Sequence, residues 1–289
     1  EGIAEEMERD PSVFLRGEDI GGFGGAFKVT DGLQARFGEK RVIDTPISEA
    51  GIVGAAAGAA HYGMRPVVEM QFIDFISCAY DMLTNYVATA RYRAFLPCPM
   101  VVRGPSGGYV RGGPFHSQNP EAAFLHTPGL KIAYPATAED AKGLIKSAIR
   151  DADPVLFFEH KYLYRRIKGT MPAGDHLVPF GKARVAREGK DLTIVTYAAT
   201  VWKALEAAEQ LAAEDGLSVE VLDLRTLLPM DHEAIVASVK KTNRVLIVHE
   251  DTVTGGVAGE ITAQISERCF EWLDAPIRRV AAHDVPLPY

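Results

Sequence analysis

Short apolar, β-branched runs alternate with longer amphipathic stretches along this chain, the pattern of parallel sheets covered by helices. Val13-Phe14-Leu15, Arg41-Val42-Ile43, Pro66–Met70, Met100-Val101-Val102, Leu130–Ala133 and Val155–Phe158 read as strands. Between them lie a Gly/Ala-rich helix from Glu49, a long amphipathic helix over Phe75–Phe95 and a helix opened by the capping pattern Thr137-Ala138-Glu139-Asp140. Residues 165–181 hold Gly169, Pro172, Gly174 and Pro179 with few apolar positions, and read as a linker. The alternation then restarts. Strands Leu192–Val195, Val219–Leu222, Val245–Val248 and Ile277–Val280 are separated by helices through Ala204–Ala213, around Ile235, and around Ile261 and Ile265. The pattern predicts an α/β protein of two domains, each a mostly parallel sheet flanked by helices. Residues 1–168 form the first, 169–181 the linker and 182–289 the second.

Composition agrees with this layout. A chain of 289 residues suits two domains better than one. Hydrophobic residues at 47% and charged ones at 24% are ordinary for a globular protein. A net charge of −7 argues against nucleic acid as a partner, which favours a basic face. No run approaches the ~20 apolar residues of a membrane helix; the Ala-rich stretch after Glu49 is broken by His61 and Arg65. The opening Glu1–Glu6 has no signal-peptide character, so the expected location is the cytoplasm, or the mitochondrial matrix in a eukaryote. Cys78, Cys98 and Cys269 are too few and too scattered for a disulfide framework or a zinc knuckle.

Candidate chemistry gathers after the first strands, since open parallel sheets bind ligands at their strand ends. After Val42 comes Asp44-Thr45-Pro46-Ile47-Ser48-Glu49, in which Ser48 is placed to cap the next helix and Glu49 stands in its first turn. That helix carries Gly51, Gly54 and Gly58 at near-helical spacing. Helix propensity disfavours so much glycine, whereas close approach of another backbone in an assembly favours it. By itself Glu49 reads as an acid compensating the helix dipole or as a functional carboxylate. After Val67 come Gln71 to Phe75, which read as loop and core residues as readily as ligand contacts. After Val101 comes a loop with Gly107, Gly108, Gly112, Gly113 and Pro114 that carries His116, either a surface histidine or an acid–base group.

Two other motifs fail on context. Gly21–Gly25 misses the dinucleotide pattern because Phe27 replaces its third glycine, leaving a mobile loop near the site. Gly104-Pro105-Ser106-Gly107-Gly108 satisfies the hydrolase G-x-S-x-G, but the glycines and Pro114 that follow exclude the helix that a nucleophile elbow needs.

The run Glu49, four residues, Gly54, three residues, Gly58 resembles the pyrimidine-domain motif of thiamine diphosphate enzymes. Asp44–Glu49 is similar to the beta subunits of 2-oxo acid dehydrogenase E1 components, as are Arg65–Phe72, Phe115–Glu121, Pro128–Lys131, Asp140–Leu144 and Val221–Thr226. The resemblance covers nearly the whole chain. It implies a thiamine diphosphate pyrimidine-type domain followed by a transketolase C-terminal-like domain. It also implies oxidative decarboxylation of a 2-oxo acid, with acyl transfer to a lipoyl group on E2. In that family Glu49 corresponds to the carboxylate that bonds the cofactor's pyrimidine, Phe75 to the aromatic residue packed on that ring, and Ile47 and Gln71 to neighbouring contacts. His116 corresponds to the histidine that assists transfer to lipoamide.

The Gly-Asp-Gly that holds Mg²⁺ and the diphosphate in such enzymes occurs nowhere here. The resemblance therefore implies an alpha subunit supplying that half, in an α2β2 heterotetramer. It further implies K⁺ at Met100, Ala148, Ile149, Asp151 and Asp153, although Asp153 departs from the usual Asn and Asp151–Pro154 alone reads as a turn. The chain opens inside a helix and ends at Pro286–Tyr289, before a last helix that the resemblance leads one to expect. An acetoin-cleaving beta subunit, a stand-alone transketolase-like half and a non-catalytic docking scaffold remain as alternatives. Pyruvate and branched-chain substrates are not separated.

Overall fold

The computed structural model describes residues 1–287, so the last two positions of the Pro286–Tyr289 ending lie outside the described residues. Strands β1 (Val13–Gly17), β2 (Val42–Asp44), β3 (Arg65–Glu69), β4 (Val101–Ser106), β5 (Lys131–Ala133) and β6 (Val155–His160) belong to a first sheet. Strands β7 (Arg184–Arg187), β8 (Leu192–Thr196), β9 (Val219–Asp223), β11 (Val245–Thr252) and β12 (Arg278–Ala282) form a second, in the order β12-β11-β8-β9-β7. Between β9 and β11 in sequence, β10 (Thr226–Leu228) pairs antiparallel with β5 instead, completing the seven-stranded order β10-β5-β6-β4-β3-β1-β2. The other pairings are parallel except β7 with β9. Thus the chain is α/β with two mostly parallel sheets, as its alternation predicts.

Register explains why the strands read as unbroken apolar runs. Leu15 pairs with Val67, Val67 with Val101 and Val101 with Val155, giving a buried row on one face. Val68, Val102 and Leu156 make the matching row on the other. A sheet covered on both faces has no polar alternation to show.

The helices are α1 (Gly2–Arg9), α2 (Leu33–Phe37), α3 (Glu49–His61), α4 (Ala90–Ala94), α5 (Glu121–Leu125), α6 (Ala138–Arg150), α7 (Thr200–Glu214), α8 (His232–Thr242) and α9 (Ala258–Cys269). The cap expected at Thr137 is present: its Oγ1 accepts from the Asp140 N–H at 3.1 Å. The long helix expected over Phe75–Phe95 is not. A 3₁₀ segment at Ile73–Ala79, a π-helical segment at Met82–Val87 and α4 divide it. Thr84 and Thr89 donate from their hydroxyls to the carbonyls of Tyr80 and Asn85, a back-bonding that loosens regular helix.

The stretch read as a linker is not a free tether. Val178 is buried beside α6, its carbonyl accepts from Ser147 Oγ at 2.7 Å, and Asp175 takes a two-pronged bond from Arg150. The alternation of Gly and Pro reported the absence of helix and strand there, and buried Val178, the Ser147 bond and the Asp175 ion pairs dock the segment.

Candidate functional site

The C-terminal ends of β2, β1, β3 and β4 stand side by side, and each leads into a loop with unusual chemistry. Pro46 ends the extended segment after β2 and α3 begins at Glu49. Ser48 is the N-cap residue, but its hydroxyl makes no capping bond, contrary to expectation; it lies over Gly51, where a Cβ would come within 2.7 Å of it. Glu49 is half-buried, and Ile47 stands out at 82% exposure. Just after β1, Glu18 has its pKa raised by burial and then by the charges of Glu49 and Asp19, so three carboxylates crowd this corner.

Gln71 reaches across from the end of β3 and donates to Asp19 Oδ2 at 3.2 Å. The glycine loop is tied down beside it, with Gly21 N–H donating to Asp44 at 2.6 Å and Thr30 to the Ile20 carbonyl at 2.8 Å. Phe72 and Phe75, on the turn after β3, both meet His116 edge-on, at ring-centroid distances of 4.4 and 5.8 Å. His116 and Phe75, far apart in sequence, therefore share one wall. Glu49 and Gln71 meet only through the Glu18–Asp19 corner.

Several polar residues that the sequence did not single out surround this wall. Arg103 is fully buried between Glu69 on β3 and Glu159 on β6, pairing with both, while Tyr164 adds its hydroxyl to Glu159. Burial raises the pKa of Glu69 against the pull of Arg103. Asp74, beside Phe75, accepts from the Gln118 N–H at 2.9 Å, and burial raises its pKa as well. Lys161 is buried nearby with no hydrogen-bond partner for its Nζ among the described residues, and burial lowers its pKa to about 8. Glu250, at the end of β11, bonds Gly108 N–H, Asn119 and His160. Its place just past the strand read over Val245–Val248 was the one signal available; the strand in fact runs on to Thr252.

The residues expected to hold K⁺ already make bonds within the chain. The carbonyls of Met100 and Ala148 accept from Val155 N–H and Asp151 N–H, and that of Ile149 from Arg65 at 2.8 Å. The Asp151 carboxylate takes both bonds of Lys131, at 2.8 and 2.6 Å, and the Asp153 carboxylate pairs with Arg91. Three protein cations, Arg65, Lys131 and Arg91, thus meet this acceptor set. Ser106 is equally committed: it ends β4, is buried, and shares a 2.5 Å bond with Tyr134 OH. No helix follows it, so the hydrolase alternative fails on geometry. Glu49, Phe75 and His116 are each half-buried.

The chain has close counterparts in sequence and fold. The model of the transketolase pyrimidine-binding domain matches residues 1–166, and that of the transketolase C-terminal domain matches residues 181–289. The 2-oxoisovalerate dehydrogenase subunit beta of Bacillus subtilis is 54% identical, over 99% of this chain and 88% of the relative. The pyruvate dehydrogenase E1 component subunit beta of Staphylococcus aureus is 44% identical, over 99% and 89%. Among solved structures, the inactive beta4 tetramer of a split-gene transketolase superposes with a TM-score of 0.80 at 25% identity, covering 98% of this chain and 87% of that one. With the same two domains in the same order and such identity along nearly its whole length, the chain belongs to the E1 beta subunits of the 2-oxo acid dehydrogenases, a family of oxidoreductases.

Proposed function

We propose that this chain supplies the pyrimidine side of a thiamine diphosphate site that an E1 alpha subunit completes, in an α2β2 heterotetramer. The assembled enzyme decarboxylates a 2-oxo acid and passes the acyl group to a lipoyl group carried by E2. What supports this reading most is that Glu49, Phe75 and His116 stand on loops that follow neighbouring parallel strands, with Phe75 and His116 sharing one wall. Relatives at 44–54% identity are named for pyruvate and for 2-oxoisovalerate, so the substrate class is a short aliphatic 2-oxo acid. The weaker likeness to a split transketolase, at 25% identity, speaks for shared fold more than shared reaction.

The half-site suits the cofactor's pyrimidine: a carboxylate in the first turn of a helix, a half-exposed aromatic ring after the next strand but one and an apolar Ile47 turned to solvent. Thiamine diphosphate, when bound, supplies the carbanion stabilisation that decarboxylation requires. Glu49 holds a pyrimidine nitrogen, Phe75 and Ile47 give apolar contact, and Gln71 orients the edge of the site. His116 delivers a proton to the lipoyl sulfur during transfer. The diphosphate and Mg²⁺ fall to the alpha subunit, because this sequence has no Gly-Asp-Gly. K⁺ has no part in this reading.

The test is co-expression with the alpha chain and a 2-oxo acid panel, with calorimetry on the isolated chain alongside. The expected result is turnover of pyruvate or a branched-chain acid by the pair, and weak thiamine diphosphate binding by the single chain. Tight Mg²⁺-dependent binding without a partner, or no turnover by the assembled pair, overturns the reading.

A further inference from the structure

The loop that carries His116 is held from the other domain. Gly108 N–H donates to Glu250 Oε1 at 2.6 Å, and Asn119 Nδ2 donates to the same oxygen at 3.2 Å. His116 lies between these two residues, so one carboxylate grips the loop at both ends. The second oxygen, Oε2, accepts from His160 Nε2 at 2.7 Å. His160 Nδ1 accepts from Tyr162 N–H at 3.3 Å, which fixes the ring proton on Nε2, facing Glu250. Gly107 has φ +79°, and a Cβ there would come within 2.0 Å of His160 Nε2, so the loop leaves β4 lying flat on the imidazole. Asn119 is itself fixed, since its Oδ1 accepts from Tyr134 OH at 2.9 Å.

We propose that Glu250 is a positioning residue for His116: a carboxylate of the second domain that clasps both ends of the loop and so ties the placement of His116 to the docking of the two domains. The loop between the clasped ends is rich in glycine, so the grip at 108 and 119, added to the Gly107–Gln118 and Asp74–Gln118 bonds, limits how far His116 strays from Phe72 and Phe75. Burial works against the charge of Glu250, yet His160, Gly108 and Asn119 outweigh it and keep its pKa below the usual range. The clasp is therefore charge-assisted at every bond.

The catalytic part of this inference rests on the reading of His116 above, and the experiment separates the two. In the assembled alpha–beta enzyme, amide hydrogen exchange of residues 107–119 is followed in Glu250→Ala and Glu250→Gln. Lipoyl transfer and dye-coupled decarboxylation are measured in these variants, in His116→Ala and in the double variant. Glu250→Ala should speed exchange of the loop at least about tenfold and lower lipoyl transfer by about 10- to 100-fold, the scale of a misplaced group. Glu250→Gln should recover much of both, because its amide oxygen still accepts from Gly108. The double variant should transfer no more slowly than His116→Ala alone. Unchanged exchange in Glu250→Ala, or losses that multiply in the double variant, overturn the proposal. Should Glu250→Ala fail to assemble, Asn119→Ala removes one grip and gives the same comparison. A His116→Ala enzyme with full activity refutes the role of His116, while the exchange result still judges the clasp.

Discussion

His116 stands edge-on against Phe72, with ring centroids 4.4 Å apart and planes at 81°, while Phe75 meets the same imidazole at 83°. Two phenyl rings thus flank a histidine whose own loop carries Gly107, Gly108, Gly112 and Gly113. Edge-to-face packing presents the positive rim of one ring to the negative face of the other. The imidazole is held by contacts that do not consume its nitrogens, which leaves them for proton transfer.

His116→Ala should separate two steps of the reaction. Acyl transfer to an E2 lipoyl domain should fall more than decarboxylation read with an oxidising dye, because the dye route needs no proton on a lipoyl sulfur. A residue acting in one transition state lowers only the step containing it. Equal losses in both assays would place His116 earlier, at the 2-oxo acid.

Glu49→Gln keeps the shape of the side chain and removes its charge. Turnover by the assembled enzyme should drop by at least ~10²-fold, the lower end for a lost acid–base group. Near-normal rates with an artificial acceptor would return Glu49 to a plain helix-dipole role, in which the change matters only to stability.

Arg103→Met leaves Glu69 and Glu159 buried without their shared cation. Breaking such a network from one side costs about 3–5 kcal/mol, and denaturant unfolding should show it. Glu69→Gln in the same background should restore part of the loss by removing one of the stranded charges. A Met variant as stable as the parent would mean that the carboxylates find water on losing Arg103.

Glu121 accepts from Tyr197 OH at 2.8 Å across the two domains. Burial, then the nearby charge of Asp251, push its pKa from 4.5 up to about 8. The folded chain thus keeps a proton that the unfolded chain gives up, so this group makes stability fall as pH rises from about 4.5 to about 8. The slope is at most about 1.4 kcal/mol per pH unit. Glu121→Gln should flatten the profile over that window. An unchanged difference between parent and variant across it would show that Glu121 is ionised when folded.

Gly58 lies on the side of α3 away from the core, and a Cβ there meets nothing within 4 Å in this chain. In an isolated helix Gly→Ala gains about 0.5–1 kcal/mol. Gly58→Ala should therefore keep or raise the stability of the single chain, yet weaken its assembly with the alpha subunit. If both are improved, α3 does not pack closely on a partner.

Each strand that the apolar runs placed is present, because a strand buried on both faces writes itself into consecutive positions such as Val67-Val68 and Val101-Val102. The loops bearing Glu49, Gln71, Phe75 and His116 were legible for the same reason: once strands are placed, their ends are placed too. β10 was missed because three residues carry no period, and its partner β5 lies far back in the chain. The long helix after Phe75 was overestimated because side-chain spacing is blind to hydroxyls that bond their own backbone.

By itself the sequence determined which segments are buried, the order of strands and helices, the membership of the family and the identity of the residues at the strand ends. Those follow from local period and from motifs a few residues long. Only the tertiary structure decided what each charge meets. Glu250 and Gly108 are 142 positions apart, and nothing local to either tells that they bond. Lys131, Arg65 and Arg91 reach the turn at Asp151 and Asp153 from three different elements, and so take the acceptors that motif matching had reserved for an ion. Burial is a property of one residue's neighbourhood in sequence pattern, whereas pairing of charges depends on which distant strands become neighbours. That is fixed only when the sheets have formed and docked.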